Sequence, residues 1–282
     1  MAGPVAPLAA GMRLDLEAVT LRRPGASGGR RPILDGVTLR VAPGEQLAIV
    51  GPSGCGKSSL LLAAALAQRP DAGSVRLDGS EAWAAAPRRR QQLRRALFLA
   101  PQAPPLPPRQ RVVTAVLAGR LPMLGLWRSL SSLIYPDDIA GAQQALAAFG
   151  LGERLFDRVD RLSGGERQRV GLARALVAPA RLWLIDEPLA ALDPVRAVAV
   201  LDELCAQARQ RGITLVVSLH QAELAQARFG RIVGLRDGAI AFDAAPAALH
   251  EGQWRDLYAG DEPPAMPAPA PALPPPIPAM CR

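Results

Sequence analysis

Apolar and polar residues follow one another along the chain in short segments that predict β-strands. Residues 13–19 alternate in character, and residues 37–41 form a second alternating segment that ends before Pro43-Gly44. Continuous apolar runs with the length of buried strands follow. They span residues 46–50, 96–100, 182–185 and 213–219.

Helical segments separate these predicted strands. A Leu- and Ala-rich segment at 58–69 predicts one helix, and a long tract at about 110–178 is mostly helical in character. A glycine-rich turn is expected at 25–29. Strands that alternate with helices indicate an α/β fold with a parallel, helix-covered sheet, in which ligands bind at the carboxyl ends of the strands. Since no internal repeat is visible, we expect one such site per chain.

The two ends of the chain differ in composition from its middle. Residues 1–12 are small, apolar and proline-bearing without periodicity, and residues 261–282 are dominated by Pro and Ala. Both segments are predicted to be disordered tails, which leaves a folded domain at 13–260. The longest apolar run, 60–67, has eight residues, whereas a membrane-spanning helix needs about 20. We therefore expect no transmembrane helix, and the start of the chain lacks the features of a secretory signal.

The chain is basic, with a formal net charge of +8. Its arginines are scattered rather than gathered into one patch, and aromatic residues make up only 4% of the chain. Aromatic residues are the platforms on which nucleic-acid bases stack, so this composition argues against a nucleic-acid partner. Lys57 is the only lysine among the 33 Lys+Arg residues. Because the chain uses arginine at every other basic position, we infer that Lys57 has a function that arginine cannot perform.

Lys57 lies in a glycine-rich loop between the predicted strand 46–50 and the predicted helix that follows. The spacing Gly-x4-Gly-Lys-Ser is typical of a P-loop, whose backbone N–H groups and helix N-terminus bind phosphate. The compact ammonium of Lys57 suits the β- and γ-phosphates, and Ser58 suits Mg²⁺. The pattern alone also fits a chance glycine turn, but its place between strand and helix favours the P-loop. The candidate nucleotide-binding residues here are Gly51, Pro52, Ser53, Gly54, Cys55, Gly56, Lys57, Ser58 and Ser59.

Polar residues follow three other predicted strands. Asp186 and Glu187 end the run 182–185, as in a Walker B motif in which Asp186 holds Mg²⁺ and Glu187 orients or deprotonates the attacking water. Gln102 follows the run 96–100, and His220 follows the run 213–219. Each of these residues alone is ordinarily a solvated turn or structural residue. The P-loop upstream makes them candidates for one site.

A second helix start has the features of an anion site. Ser163, Gly164, Gly165 and Glu166 open a predicted helix, yet one nucleotide does not need two such sites in one chain. With Leu162, this segment resembles the LSGGQ or LSGGE signature of the ATP-binding subunits of ABC transporters.

The resemblance implies a fold, a set of residue roles and a dimer. The fold is a P-loop NTPase with a RecA-like parallel-sheet core, an antiparallel β subdomain and an inserted α-helical subdomain at about 103–178. The resemblance also implies a head-to-tail homodimer in which the signature of one copy caps ATP bound to the other. It makes Gln102 the Q-loop glutamine, Asp193 a D-loop residue and His220 the switch histidine. By the same resemblance, the catalytic residues are Lys57, Glu187 and His220. The residues that bind Mg²⁺ are Ser58, Gln102 and Asp186.

One feature of the family is missing. Its members usually carry an aromatic residue near the end of the first strand to stack on adenine, but the sequence there is Leu21-Arg22-Arg23-Pro24. The guanidinium plane of Arg22 or Arg23 is one alternative, and loose base recognition is another. ATP is therefore inferred from the resemblance alone.

Such a subunit without membrane spans implies separate membrane-embedded permease subunits. Several segments also resemble the ATP-binding subunit of phosphonate importers, which implies a peripheral location on the cytoplasmic face of the inner membrane and an indirect partnership with a periplasmic solute-binding protein. Those segments include 116–121, 126–130, 218–221 and 254–258. An importer of phosphite, phosphate esters or another small solute is the alternative, and a soluble non-transport ABC ATPase is a more distant one.

Overall fold

The computed structural model describes residues 11–23, 31–125, 127, 129 and 137–259. Residues 1–10 and 260–282, which hold nearly all of both predicted tails, lie outside the described residues, as do the predicted turn at 25–29 and most of 126–130. The described strands are β1 (Leu14–Leu21), β2 (Leu34–Val41), β3 (Gln46–Val50), β4 (Ala72–Leu77), β5 (Ser80–Glu81), β6 (Leu97–Ala100), β7 (Leu182–Asp186), β8 (Thr214–Leu219), β9 (Arg231–Arg236) and β10 (Ala239–Ala244).

The larger sheet has six strands in the order β10-β9-β3-β8-β7-β6. Strands β9, β3, β8, β7 and β6 run parallel, and β10 pairs antiparallel with β9. Every residue of β7 and β8 is buried, as expected for central strands covered on both faces. The predicted parallel, helix-covered sheet is therefore confirmed.

The smaller sheet is antiparallel and has the order β2-β1-β4-β5. Strand β1 contains a register shift between Leu16 and Val19 in its pairing with β2. Ala18 there has a φ of 48°, a left-handed conformation typical of a bulge. Strand β1 continues past the bulge to Leu21, two residues beyond the predicted strand end.

Helices cover both faces of the larger sheet. The α-helices with described bounds are α1 (Lys57–Ala64), α2 (Pro87–Arg95), α3 (Val112–Leu117), α4 (Ile139–Ala148), α5 (Gly164–Val177), α6 (Pro194–Gln210), α7 (Ala222–Arg228) and α8 (Glu251–Leu257). Short 3₁₀ turns lie at Ala118–Met123, Gly152–Arg154, Val159–Arg161 and Pro246–Ala248.

Alternate residues of β7 divide the core into two layers. Trp183 and Ile185 pack with residues of α3, α4, α5 and α6, whereas Leu182 and Leu184 pack with α1 and the smaller sheet. Because successive side chains of a strand point to opposite faces, one strand supplies both layers. Both layers hold the carboxyl end of β7 in a fixed position.

Helix α1 ends earlier than predicted. The apolar run favours a helix over 58–69, but the helix ends at Ala64 and Leu66 has a φ of 56°. The amide of Ala67 donates to the carbonyl of Leu62 at 2.9 Å, and that of Leu66 to Ala63 at 3.0 Å. This pattern is a Schellman motif, which usually has glycine at its left-handed position.

The prediction placed the start of the folded domain at residue 13, but the packed part of the chain begins before it. Met12 is 1% exposed, its amide donates to the carbonyl of Arg181 at 3.1 Å, and its carbonyl accepts from the Thr214 hydroxyl at 2.8 Å. Gly11 also has close neighbours, since a Cβ there would lie 2.3 Å from the Gly44 nitrogen. Residues 11 and 12 therefore belong to the folded domain.

Candidate nucleotide-binding site

The glycine loop between β3 and α1 has the curled backbone that a phosphate cradle needs. Gly51, Gly54 and Gly56 have φ values of 151°, 76° and 111°, which L side chains rarely adopt. A Cβ on Gly51 would lie 2.1 Å from the carbonyl oxygen of Leu235, and one on Gly56 would lie 2.8 Å from that of Ile33. Conformation and close packing thus both require glycine at Gly51 and Gly56.

Lys57 begins α1 and points back into the loop. Its Nζ donates to the carbonyl oxygens of Gly51 at 2.7 Å and Pro52 at 3.0 Å, and the residue is 4% exposed. An ammonium carries three N–H donors on a thin stem, so it fits between these carbonyls and retains donor capacity for a phosphate. A planar guanidinium is broader and less able to turn in this space.

The remaining loop residues differ in exposure. Ser53 and Gly54 are exposed at the tip of the loop, while Ser58 and Ser59 are half-buried in the first turn of α1. Cys55 is buried, and burial raises the pKa of its thiol. The thiol is therefore a packing group rather than a reactive one, and the exposed tip leaves its amides accessible to a ligand.

Asp186 ends β7 and is fixed by a buried hydroxyl. The Ser218 Oγ donates to Asp186 Oδ1 at 2.6 Å, and the amide of Glu187 donates to the same Ser218 oxygen at 2.9 Å. Asp186 is 8% exposed and Ser218 is fully buried. One hydroxyl therefore orients both acidic residues at this strand end.

The carboxylate of Glu187 joins two other predicted site residues. Gln102 Nε2 donates to Glu187 Oε2 at 2.7 Å, and His220 Nε2 lies 2.5 Å from Glu187 Oε1. The Glu187 backbone has a φ of 46°, a left-handed conformation that is costly for a non-glycine residue. Strain at this residue, in a cluster of three polar side chains, is typical of a functional site.

Strand register explains why these residues meet. Val50 pairs with Leu219, Asp186 with Ser218 and Ala100 with Ile185 across adjacent strands. The loops after β3, β8, β7 and β6 therefore leave the sheet at the same edge, where parallel α/β sheets bind ligands. Sequence reasoning expected this arrangement.

The predicted signature segment forms a well-capped helix start. The Ser163 Oγ accepts from the Glu166 amide at 3.3 Å, and Glu166 Oε2 accepts from the Ser163 amide at 2.8 Å, which completes a capping box. The Ser163 amide holds the pKa of Glu166 below its ordinary value. Ser163 and Gly164 are exposed, and Gly165 is half-buried. The carboxylate of Glu166 thus has a structural role within its own chain, where it also pairs with Arg154 at 3.3 Å.

Two residues that the sequence reasoning did not single out connect these parts. Ser218 is one, as described above; its signal was a hydroxyl near the carboxyl end of a strand whose only other polar residue is Thr214. Gln168, on the signature helix, donates to the Glu187 carbonyl at 2.7 Å and accepts from the Ala191 amide at 3.1 Å.

Asp193, the predicted D-loop residue, caps α6 by accepting from the Arg196 amide at 3.0 Å.

At the end of β1, the described residues 21–23 include no aromatic side chain that could stack on a nucleotide base. Leu21 is 1% exposed and packs in the core, and the Arg22 amide donates to Asp71 Oδ2 at 2.7 Å. Arg22 and Arg23 are exposed, so the guanidinium alternative stays a prediction.

Within residues 11–23, 31–125, 127, 129 and 137–259, no group of three or more His, Cys, Asp or Glu side chains is arranged to hold a metal ion. The oxygen donors of Ser58, Gln102 and Asp186 suit Mg²⁺, which keeps waters and binds through few protein ligands together with phosphates. In the same part of the chain, no helix is both long enough and apolar enough to cross a bilayer.

Comparisons with known proteins identify the family of the chain. The profile of the ABC transporter family matches residues 34–190, more than half of the chain. The chain is 56% identical over 248 residues to a phosphonates import ATP-binding protein, PhnC 2, of Albidiferax ferrireducens, with 88% of this chain and 90% of that protein covered. It is 54% identical over 248 residues to PhnC of a Polaromonas species, with the same coverage of each chain.

A solved structure supports the same assignment. The dimeric ATP-binding cassette MJ0796, in a post-hydrolysis state bound to ADP and Pi, superposes with a TM-score of 0.69 at 26% identity and covers 84% of this chain and 100% of its own. The chain therefore belongs to the ABC transporter family, and it is an ATP-binding cassette ATPase of that family.

Proposed function

We propose that this ATPase powers a phosphonate importer. The observation that carries the proposal is the 56% identity, over most of both chains, to a protein named for phosphonates import. The substrate is chosen by other subunits of such an importer, so identity in the ATPase assigns the transporter class rather than a contact with the solute.

The site geometry supports an assignment of roles in ATP hydrolysis. The loop amides and Lys57 would hold the β- and γ-phosphates. Ser58, Gln102 and Asp186 would hold Mg²⁺, which would supply positive charge to neutralise the phosphates. Glu187 accepts a proton from the attacking water as the water oxygen bonds to the γ-phosphorus. The bond from the γ-phosphorus to the bridging oxygen breaks, and ADP leaves with that oxygen. His220, whose Nε2 lies 2.5 Å from Glu187, contacts the γ-phosphate.

The exposed signature turn supports a head-to-tail dimer. Ser163 and Gly164 are exposed at a helix N-terminus, where backbone N–H groups favour an anion. In the proposed dimer they cap the γ-phosphate of ATP bound to Lys57 of the second copy. Two ATP molecules are then enclosed, and hydrolysis reopens the pair.

The proposed partners are membrane-embedded permease subunits. The helical subdomain at about 103–178 is the part that docks on them, and the chain lies peripherally on the cytoplasmic face of the inner membrane. A periplasmic solute-binding protein delivers the solute to the permease and has only an indirect connection with this chain.

Growth on a phosphonate as the sole phosphorus source tests the proposal. Deletion of the gene should abolish growth on a phosphonate but not on phosphate, and the unmutated gene should restore it while a Lys57→Ala copy should not. Growth without the gene would refute the phosphonate assignment, and growth on phosphite or phosphate esters, tested in parallel, would identify the alternative solute.

Membrane fractionation after nuclease treatment separates the transport proposal from the soluble alternative. Retention on membranes is expected. Loss from membranes after nuclease treatment, with retention on nucleic acid in a sample that was not treated, would favour a soluble, non-transport ATPase.

A further inference from the structure

Gln168 is a buried side chain that joins the signature helix to the opposite end of the site. It lies within the first two turns of α5 and is 5% exposed. Its Nε2 donates to the carbonyl oxygen of Glu187 at 2.7 Å, and its Oε1 accepts from the amide of Ala191 at 3.1 Å. Both ends of the amide are therefore paired, and one side chain spans the turn between β7 and α6.

The peptide groups on both sides of Glu187 are held by buried side chains. Its amide donates to Ser218 Oγ at 2.9 Å, and its carbonyl accepts from Gln168. Between these two bonds the backbone has a φ of 46°, which a non-glycine residue keeps only when its surroundings enforce it. The direction of the Glu187 carboxylate depends on this conformation.

A second contact joins the tip of the signature helix to the same turn. A Cβ on Gly165 would lie 2.7 Å from the carbonyl oxygen of Ala191 and 3.0 Å from Leu192 Cδ2. The helix tip therefore lies directly on the backbone of Ala191. The amide of the same residue donates a hydrogen bond to Gln168. Helix α5 therefore contacts this turn at two points, through Gly165 and through Gln168.

We propose that Gln168 is a positioning residue that fixes the conformation of Glu187 and links it to the signature helix. The inference rests on the proposed roles of Glu187 and of the signature turn. In the proposed dimer, Glu187 serves the nucleotide of its own copy while the signature turn contacts the nucleotide of the other copy. Gln168 thereby makes the geometry of one site depend on occupancy of the other.

Replacement by leucine tests the link, because leucine is close to glutamine in size and removes both hydrogen bonds. Gln168→Leu should lower kcat for ATP hydrolysis by roughly tenfold to 100-fold, since small displacements of a reacting group have effects of this size. The KM for ATP should change by less than about threefold, because the phosphate loop is untouched. A loss of packing alone would instead lower the melting temperature and leave the kcat of the folded fraction unchanged.

Gln46→Leu is the matched control. Gln46 Nε2 donates to the Cys205 carbonyl at 2.9 Å in a partly buried bond that joins β3 to α6. It is the same type of bond, from a glutamine amide to a backbone carbonyl, but it lies away from Glu187. Its loss should alter stability without the selective fall in kcat.

Gln168→Glu separates the two bonds and remains informative if the leucine variant does not fold. Glutamate keeps an acceptor for the Ala191 amide but loses the donor to the Glu187 carbonyl, so kcat should fall as in Gln168→Leu. Unchanged kcat in either variant would overturn the inference. Lys57→Ala shows whether the proposed ATP site itself is correct. If the unmutated chain hydrolyses ATP and Lys57→Ala does not, the ATP site assignment stands even when the Gln168 variants keep their kcat.

Discussion

Replacement of Glu187 by glutamine removes one proton acceptor while the shape of the site is retained. The Glu187 carboxylate accepts from Gln102 Nε2 at 2.7 Å and contacts His220 Nε2 at 2.5 Å. An amide at this position has one oxygen, so it keeps an acceptor for only one of these two neighbours, and it cannot take a proton from water. Loss of a general base typically lowers the rate by about 10² to 10⁴. That range corresponds to about 2.7 to 5.4 kcal/mol in the activation free energy.

ATP binding should survive this change, because the groups proposed to hold the phosphates are in the loop and not at Glu187. The variant should therefore accumulate as an ATP-bound dimer that elutes early in size-exclusion chromatography with Mg·ATP. Phosphate release measures kcat in parallel. Glu203→Gln is the control, since Glu203 Oε1 accepts from Gln207 Nε2 at 2.9 Å on α6; it should hydrolyse ATP normally. A Glu187→Gln protein that stays monomeric with ATP and hydrolyses it at the unmutated rate would refute the assignment.

Three further predictions concern the two helix starts. Lys57→Arg should lose ATPase activity with little change in fold, measured by phosphate release and circular dichroism, because a guanidinium is too broad to bond the Gly51 carbonyl in the same way. Normal hydrolysis would contradict this. Ser163→Ala should lower the free energy of unfolding by about 1 kcal/mol through loss of the helix cap, measured by urea denaturation; an unchanged midpoint would count against the cap. Glu166 has a lowered pKa, so its contribution to stability is present above the unfolded pKa and is lost as the pH falls through the folded value. The melting-temperature difference between the unmutated chain and Glu166→Gln should therefore shrink as the pH falls below the ordinary glutamate pKa of about 4.3, and a constant difference would contradict the reasoning.

The parallel sheet and its ligand edge could be predicted because their sequence signals are local. Apolar runs of strand length end at Ala100, Ile185 and Leu219, and Gln102, Asp186 and His220 come within two positions of these ends. The run that ends at Val50 is followed directly by the glycine loop. The rule that carboxyl ends of parallel strands share an edge then brings the loops together. This reasoning needs no knowledge of side-chain packing.

The antiparallel pairs were harder to predict from residue patterns. Strands β4, β9 and β10 contain Gly73, Gly234 and several polar residues, which weaken a strand pattern. Gly234 is required by packing, because a Cβ there would lie 2.5 Å from the Phe242 ring. Such a requirement comes from a neighbouring strand and is invisible in the local sequence.

The end of α1 and the role of Gln168 were missed for a related reason. Leu66 occupies a left-handed position where glycine is usual, because its fully buried side chain compensates for the conformation. Gln168 occupies a buried helix position, where a glutamine reads as an ordinary helix former until its partners on another element are known. Both depend on tertiary contacts.

The packing of Gly51 against Leu235 has a consequence for when the nucleotide site forms during synthesis of the chain. The floor of the phosphate loop is the backbone of β9, a strand synthesised long after the loop itself and beyond the matched family segment, which ends at residue 190. A nascent chain that has emerged only through β7 already contains every P-loop residue, but it lacks the surface that shapes them. Affinity for nucleotide should thus arise late in translation, once β9 has left the ribosome and paired with β3.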